Sequence, residues 1–63
     1  MKHIAQATDT YSYHFTVTDH GDGTKTLKVE SQWTGAKDPN GLQTRWQATL
    51  KYEDWVELTA LLL

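Results

Sequence analysis

From Tyr11 to Thr18 the apolar positions Tyr11, Tyr13, Phe15 and Val17 alternate with Ser12, His14, Thr16 and Thr18. A period of two marks a β-strand with one face on a core, and it predicts a strand near 11–18. The turn cluster DHGDG follows. TKTLKVESQW then sets Leu27, Val29, Ser31 and Trp33 against Thr26, Lys28, Glu30 and Gln32, which predicts a second strand near 25–34. Pairing residues whose numbers sum to 44 places Val17 opposite Leu27, Phe15 opposite Val29 and Tyr11 opposite Trp33, so one antiparallel register unites both apolar rows. A third strand near 42–50 has Leu42, Thr44, Trp46, Ala48 and Leu50 inward and Gln43, Arg45, Gln47 and Thr49 outward. Trp46, at the centre of the inner row, is expected in the core.

The link between the second and third strands holds a conflict. Asp38-Pro39-Asn40-Gly41 has the residues of a type I turn, and with a Gly41 bulge it pairs residues of even sum, which sets Trp33 against the outward Gln47. Alternation demands an odd sum. A further bulge near Gly35 would reconcile the two. After Leu50 the period lengthens: KYEDWVELTALLL predicts a helix from Tyr52 to Leu62, with Glu53, Asp54 and Glu57 toward its start and Trp55, Leu58 and Leu62 as its packed stripe. The expected fold is α+β, a three-stranded antiparallel sheet of two hairpins with one C-terminal helix packed on one face (βββα). Residues 11–63 form that single domain, and 1–10 a flexible or loosely attached segment.

Composition narrows the picture. At 63 residues a hydrophobic core supplies only about 3–5 kcal/mol. There is no Cys, so disulfides and thiolate metal sites are excluded, and the staple falls to three Trp, three Tyr and one Phe or to a partner chain. A net charge of −2 argues against a nucleic-acid domain. Met1 to Thr10 lacks the apolar stretch of about 7–15 residues of a signal peptide, and no apolar run approaches the roughly 18 residues of a membrane span. The expectation is a soluble, cytoplasmic protein with no membrane contact.

Candidate chemistry is sparse. DHGDGTKTLKVE places Asp19 and Glu30 at the ends of a calcium-loop spacing, but Gly21 and Gly23 stand where ligands belong and Thr24 where the loop needs Gly. His3, His14 and His20 have no metal-ligand spacing. His14 falls opposite Glu30, as a cross-strand ion pair on an open face, with no nucleophile beside it. No catalytic residue, cofactor or metal is expected, and the chain is read as non-catalytic.

Two binding surfaces stand out. A three-stranded sheet followed by a helix resembles the architecture of the arm-binding domain of phage-type integrases and of plant AP2 domains, whose sheet lies in the major groove. The resemblance covers residues 11–63 and no motif carries family residues across. It implies a nucleic-acid interface on the open sheet face, where Lys28, Gln43, Arg45 and Gln47 have the chemistry to contact phosphates and base edges. The second surface is the other side of the helix, Val56, Ala60, Leu61 and Leu63, which is more apolar than one sheet requires and suits a protein partner or a second copy. The negative charge favours this second class: a small protein-binding or self-associating module of the kind used as viral or mobile-element regulators or inhibitors. A purely structural soluble domain is the third alternative.

Overall fold

The structure, a computed structural model, describes residues 1–34 and 41–63. Among the described residues it is an α+β arrangement of four strands, not three: β1 (Lys2–Gln6), β2 (Tyr11–Asp19), β3 (Thr24–Trp33) and β4 (Gln43–Lys51), followed by α1 (Tyr52–Leu62). The sheet is antiparallel throughout, in the order β1-β2-β3-β4. The additional strand comes from the segment expected to be loosely attached. Lys2–Gln6 pairs with β2 from Lys2↔Thr16 to Gln6↔Ser12, and the Val17 N–H donates to the Met1 carbonyl at 2.8 Å. Backbone pairing holds this strand, which explains why apolar alternation does not reveal it.

β2 and β3 pair from Tyr11↔Trp33 to Asp19↔Lys25, in the register that the apolar rows demand. Their turn is fixed by its own side chains. Asp19 Oδ1 accepts from the Gly21 N–H at 2.9 Å, and Asp22 Oδ1 accepts from the N–H and the hydroxyl of Thr24. Gly21 and Gly23 adopt φ of 76° and 89°, a region that a Cβ disfavours. The Thr24 hydroxyl first, and its N–H second, hold the Asp22 carboxyl below the usual carboxylate range.

The parity conflict between β3 and β4 is resolved inside the strands. Partner numbers sum to 75 from Thr24↔Lys51 to Val29↔Trp46, and to 74 at Glu30↔Thr44 and Ser31↔Gln43. The odd register aligns the apolar rows, the even one runs toward the loop, and Arg45 is the extra residue between them. The turn at Asp38 to Asn40 and the bulge expected near Gly35 lie outside the described residues. Beyond the bulge the alternation of β4 inverts. Thr44, expected inward, joins the face of Glu30, and Gln43, expected outward, joins the face of Ser31.

The sheet thus has an aromatic face, with Tyr11, Tyr13, Phe15, Val29, Trp33 and Trp46, and a threonine face, with Thr16, Thr18, Thr26, Thr49, His14 and Lys28. The helix lies over one end of the aromatic face. Trp55 meets Trp46 edge to face, with ring centroids 6.5 Å apart, and donates its indole N–H to the Lys25 carbonyl at 2.8 Å. Among the described residues no side chain caps the helix, but the Tyr52 N–H reaches the Gly23 carbonyl at 2.9 Å and the Lys25 ammonium lies 5.8 Å from the Tyr52 ring centroid.

Coverage is incomplete. Among the described residues no hydrophobic side chain is fully buried, and Trp46, expected in the core, is 48% exposed. Of the expected stripe Trp55, Leu58 and Leu62, Leu58 and Leu62 are exposed and Trp55 is partly buried.

Trp55→Ala should cost about 3 kcal/mol and reduce the helical circular-dichroism signal, whereas Trp55→Phe, which loses the N–H bond and part of the ring, should cost about 1–2 kcal/mol. Trp46→Ala should cost less than Trp55→Ala, because much of its indole is already wet; equal costs would show that the two rings share one role. In an NMR titration Asp22 should ionise below the ordinary carboxylate range and shift upward in Thr24→Val. A carboxyl whose folded pKa is depressed contributes stability above its unfolded pKa and loses it as pH falls through the folded value, so the Thr24→Val variant should be less sensitive to acid over that window.

Candidate functional site

Sequence alternation assigns Lys28, Gln43, Arg45 and Gln47 to one open face; the structure does not bring them together. Lys28 and Gln47 pair on the threonine face, where the Lys28 ammonium lies 3.7 Å from the Glu30 carboxylate. Gln43 is on the aromatic face, opposite Ser31. Arg45, released by the bulge, turns to that same face, where its Nε donates to Ser31 Oγ at 2.7 Å and its Nη2 to the Tyr11 hydroxyl at 3.0 Å. The expected row of amides and guanidinium is therefore split between two faces, and its Lys28 is partly neutralised.

The Arg45 end of the aromatic face is a defined arrangement. Ser31 is 3% exposed, so its hydroxyl needs a partner, and Arg45 supplies one from the neighbouring strand. The guanidinium spans β3 from β4 to the Tyr11 hydroxyl of β2. Tyr11 stacks at a tilt against Tyr13, with centroids 6.2 Å apart, and Trp33, paired with Tyr11, is 50% exposed. Among the described residues no carboxylate pairs with Arg45. The Nε edge of the fork is occupied by Ser31 and Tyr11; the end formed by Nη1 and Nη2 still presents donors to solvent. A planar cation fixed by two hydrogen bonds and surrounded by half-exposed aromatic surface suits a carboxylate next to apolar groups.

The helix offers the second feature. Val56, Ala60, Leu61 and Leu63, the expected partner side, are all exposed, and so are Leu58 and Leu62, with Leu61 at 84% and Leu62 at 80%. Glu53 and Asp54 lie in the first turn, where acids complement the helix N-terminus. Glu57 is one turn further on and has no ion pair among the described residues.

The threonine face holds a different surprise. His14, expected on an open surface, is 8% exposed, because β1 turns β2 into an interior strand and sets Ile4 beside it. Its Nε2 lies 3.3 Å from Ser12 Oγ and its Nδ1 has no hydrogen-bond partner among the described residues. Glu30 stands opposite as expected, but its carboxylate pairs with Lys28. Nearby, His20 Nε2, Thr26 Oγ1 and Thr49 Oγ1 form a chain of hydrogen bonds of 2.6 and 2.7 Å, which joins turn, β3 and β4.

One hollow of about 210 Å³ lies between helix and sheet, lined by Val17, Lys25, Leu27, Trp55 and Thr59, and another of about 240 Å³ lies at Met1, His3 and Phe15. Both are below the roughly 300–1,000 Å³ of small-molecule sites. Among the described residues no group of three or more His, Asp or Glu side chains is placed to hold a metal ion, and no helix is long and apolar enough to cross a membrane. No protein-family model, no curated protein and no solved structure was found to match the chain.

Sequence reasoning missed the role of Ser31 and Tyr11 as the cradle of Arg45. The signal was present as the parity conflict, which required an extra residue somewhere between β3 and β4. Arg45→Ala should therefore cost about 1–2 kcal/mol in denaturant unfolding, because a buried hydroxyl loses its partner. Lys28→Ala, with its half-exposed ion pair, should change stability by no more than about 0.5 kcal/mol. Equal small costs would show that Ser31 finds another partner.

Proposed function

We propose that the protein is a non-catalytic binding module that associates with another protein chain through the exposed side of α1 and the part of the aromatic face that α1 leaves open. The observation that carries this reading is the absence of any fully buried hydrophobic side chain among the described residues, beside the exposure of Trp33, Trp46, Leu61 and Leu62. Exposed apolar surface on this scale, rimmed by polar groups, is the physical mark of a surface that meets a partner. In a chain with no disulfide it is also the largest unused source of stability. Half-exposed tryptophans and an oriented arginine are the residue types that concentrate binding energy at protein interfaces. The net charge of −2 and the division of Lys28, Gln43, Arg45 and Gln47 between two faces weigh against nucleic acid as the alternative ligand. Regulation or inhibition of the bound partner is the task such a small module can perform, by occupying a surface.

The reading is tested with Leu61→Glu, which places a charge on the exposed helix side without touching the sheet. Its circular dichroism and thermal midpoint should match the parent, while protein association, either self-association by light scattering or retention of a partner by the immobilised chain, should fall about tenfold or more. A parent that remains monomeric and retains no protein that Leu61→Glu loses would overturn it.

A further inference from the structure

We infer that the partner is a second copy of this chain, and that α1 of each copy lies on the Arg45 end of the other's aromatic face, with Glu57 of one protomer on Arg45 of its partner. This rests on the protein-binding reading above and names its occupant.

Charge complementarity carries the inference. The uncovered end of the aromatic face holds a fixed guanidinium with no carboxylate partner among the described residues. The helix holds three acids and no basic residue. Glu53 and Asp54 are accounted for by the helix N-terminus, which leaves Glu57 as the carboxylate with no local task. Asp54, Glu57, Leu58 and Leu61 are spaced i, i+3, i+4 and i+7, so one helical stripe carries the acid directly beside exposed leucines. That stripe matches what the Arg45 end offers: a cation at the bulge, bordered by Tyr11 and by the half-exposed Trp33 paired with it.

Symmetry makes the match self-consistent. In a two-fold dimer each contact occurs twice, so a helix that donates Glu57 also belongs to a sheet that donates Arg45, and both unpaired charges are satisfied at once. Within one chain the two remain apart because Trp55 fixes α1 over the Lys25 end of the sheet. A heterologous acidic partner would satisfy Arg45 but leave Glu57 and Leu61 unused; a second copy uses all of them.

The test is a charge exchange read by analytical ultracentrifugation over a concentration series. The parent should double its mass as concentration rises. Arg45→Glu and Glu57→Arg should each weaken the dimer at least about tenfold, and the chain carrying both changes should recover most of the loss, because the pair is restored with its signs reversed. Should Arg45→Glu lose its fold on circular dichroism, the contact is read by mixing Gln43→Cys with Asp54→Cys. The parent has no cysteine, so a mixed disulfide in excess of either homodimer reports helix against the Arg45 end. A parent that stays monomeric at every concentration, a dimer indifferent to Glu57→Arg, a folded double variant that stays as weak as the single ones, or an absence of the mixed disulfide would each overturn the inference. A monomeric parent that nonetheless retains another protein, in a manner abolished by Leu61→Glu, would overturn it while leaving the protein-binding reading in place.

Discussion

The attachment of the helix through Trp55 governs the rest of the molecule. An 11-residue helix is about 16 Å long, while strands of nine or ten residues extend about 30 Å, so one helix covers only part of a sheet face. Where it lies is decided by one indole, which meets Trp46 edge to face and donates to the Lys25 carbonyl. The Tyr52 N–H on the Gly23 carbonyl fixes the same end. The two backbone anchors lie at the β2–β3 turn, with Trp46 midway along β4, and the opposite end of the aromatic face, with Tyr11, Trp33 and Arg45, is left open. The extent of exposed apolar surface follows from this geometry rather than from any single residue.

Much of the architecture can be read from the chain because the signals are periodic. The two-residue alternation locates β2, β3 and β4 and sets the β2–β3 register, since a slip of one residue would send Phe15 and Val29 to opposite faces. The change of period at Lys51 locates the helix. β1 is illegible for a physical reason: its residues on the aromatic face are His3 and Ala5, its one large apolar residue, Ile4, points to the other side, and its attachment is by backbone hydrogen bonds that leave no side-chain pattern. The burial of His14 was hidden for the same reason, because it depends on β1 being present.

The candidate site was legible in its composition and not in its arrangement. The exposed helix side, Val56, Ala60, Leu61 and Leu63, can be anticipated from an apolar surplus on a single helix. The open face cannot, because alternation is a rule about uninterrupted strands and β4 contains an interruption. One extra residue is enough to send Gln43 and the Arg45 side chain to the aromatic face while Gln47 and Lys28 stay on the threonine face. The neighbouring parity argument required such an extra residue but could not say which, since any position between Trp33 and Trp46 would satisfy it.

Why the interruption falls at Arg45 can be argued from what each alternative would bury. Ser31 faces the aromatic side in the middle of the sheet, where its hydroxyl is shielded from water and costs about 1–3 kcal/mol if left unpaired. A regular β4 in the odd register would place Thr44 across from Ser31 and send Arg45 to the threonine face, away from that hydroxyl. The bulge instead lets a long, flexible side chain cross β3, satisfy Ser31 with Nε and still reach the Tyr11 hydroxyl with Nη2. Because the fork is then held at two points, the donors left at its outer end have a fixed direction. The same step that shifts the β3–β4 register thus orients a cation on the aromatic face that, among the described residues, has no acid beside it; Lys25, on the same face, lies 3.9 Å from Asp19. A requirement of folding is in this way sufficient to produce a surface with the orientation and polarity that recognition needs.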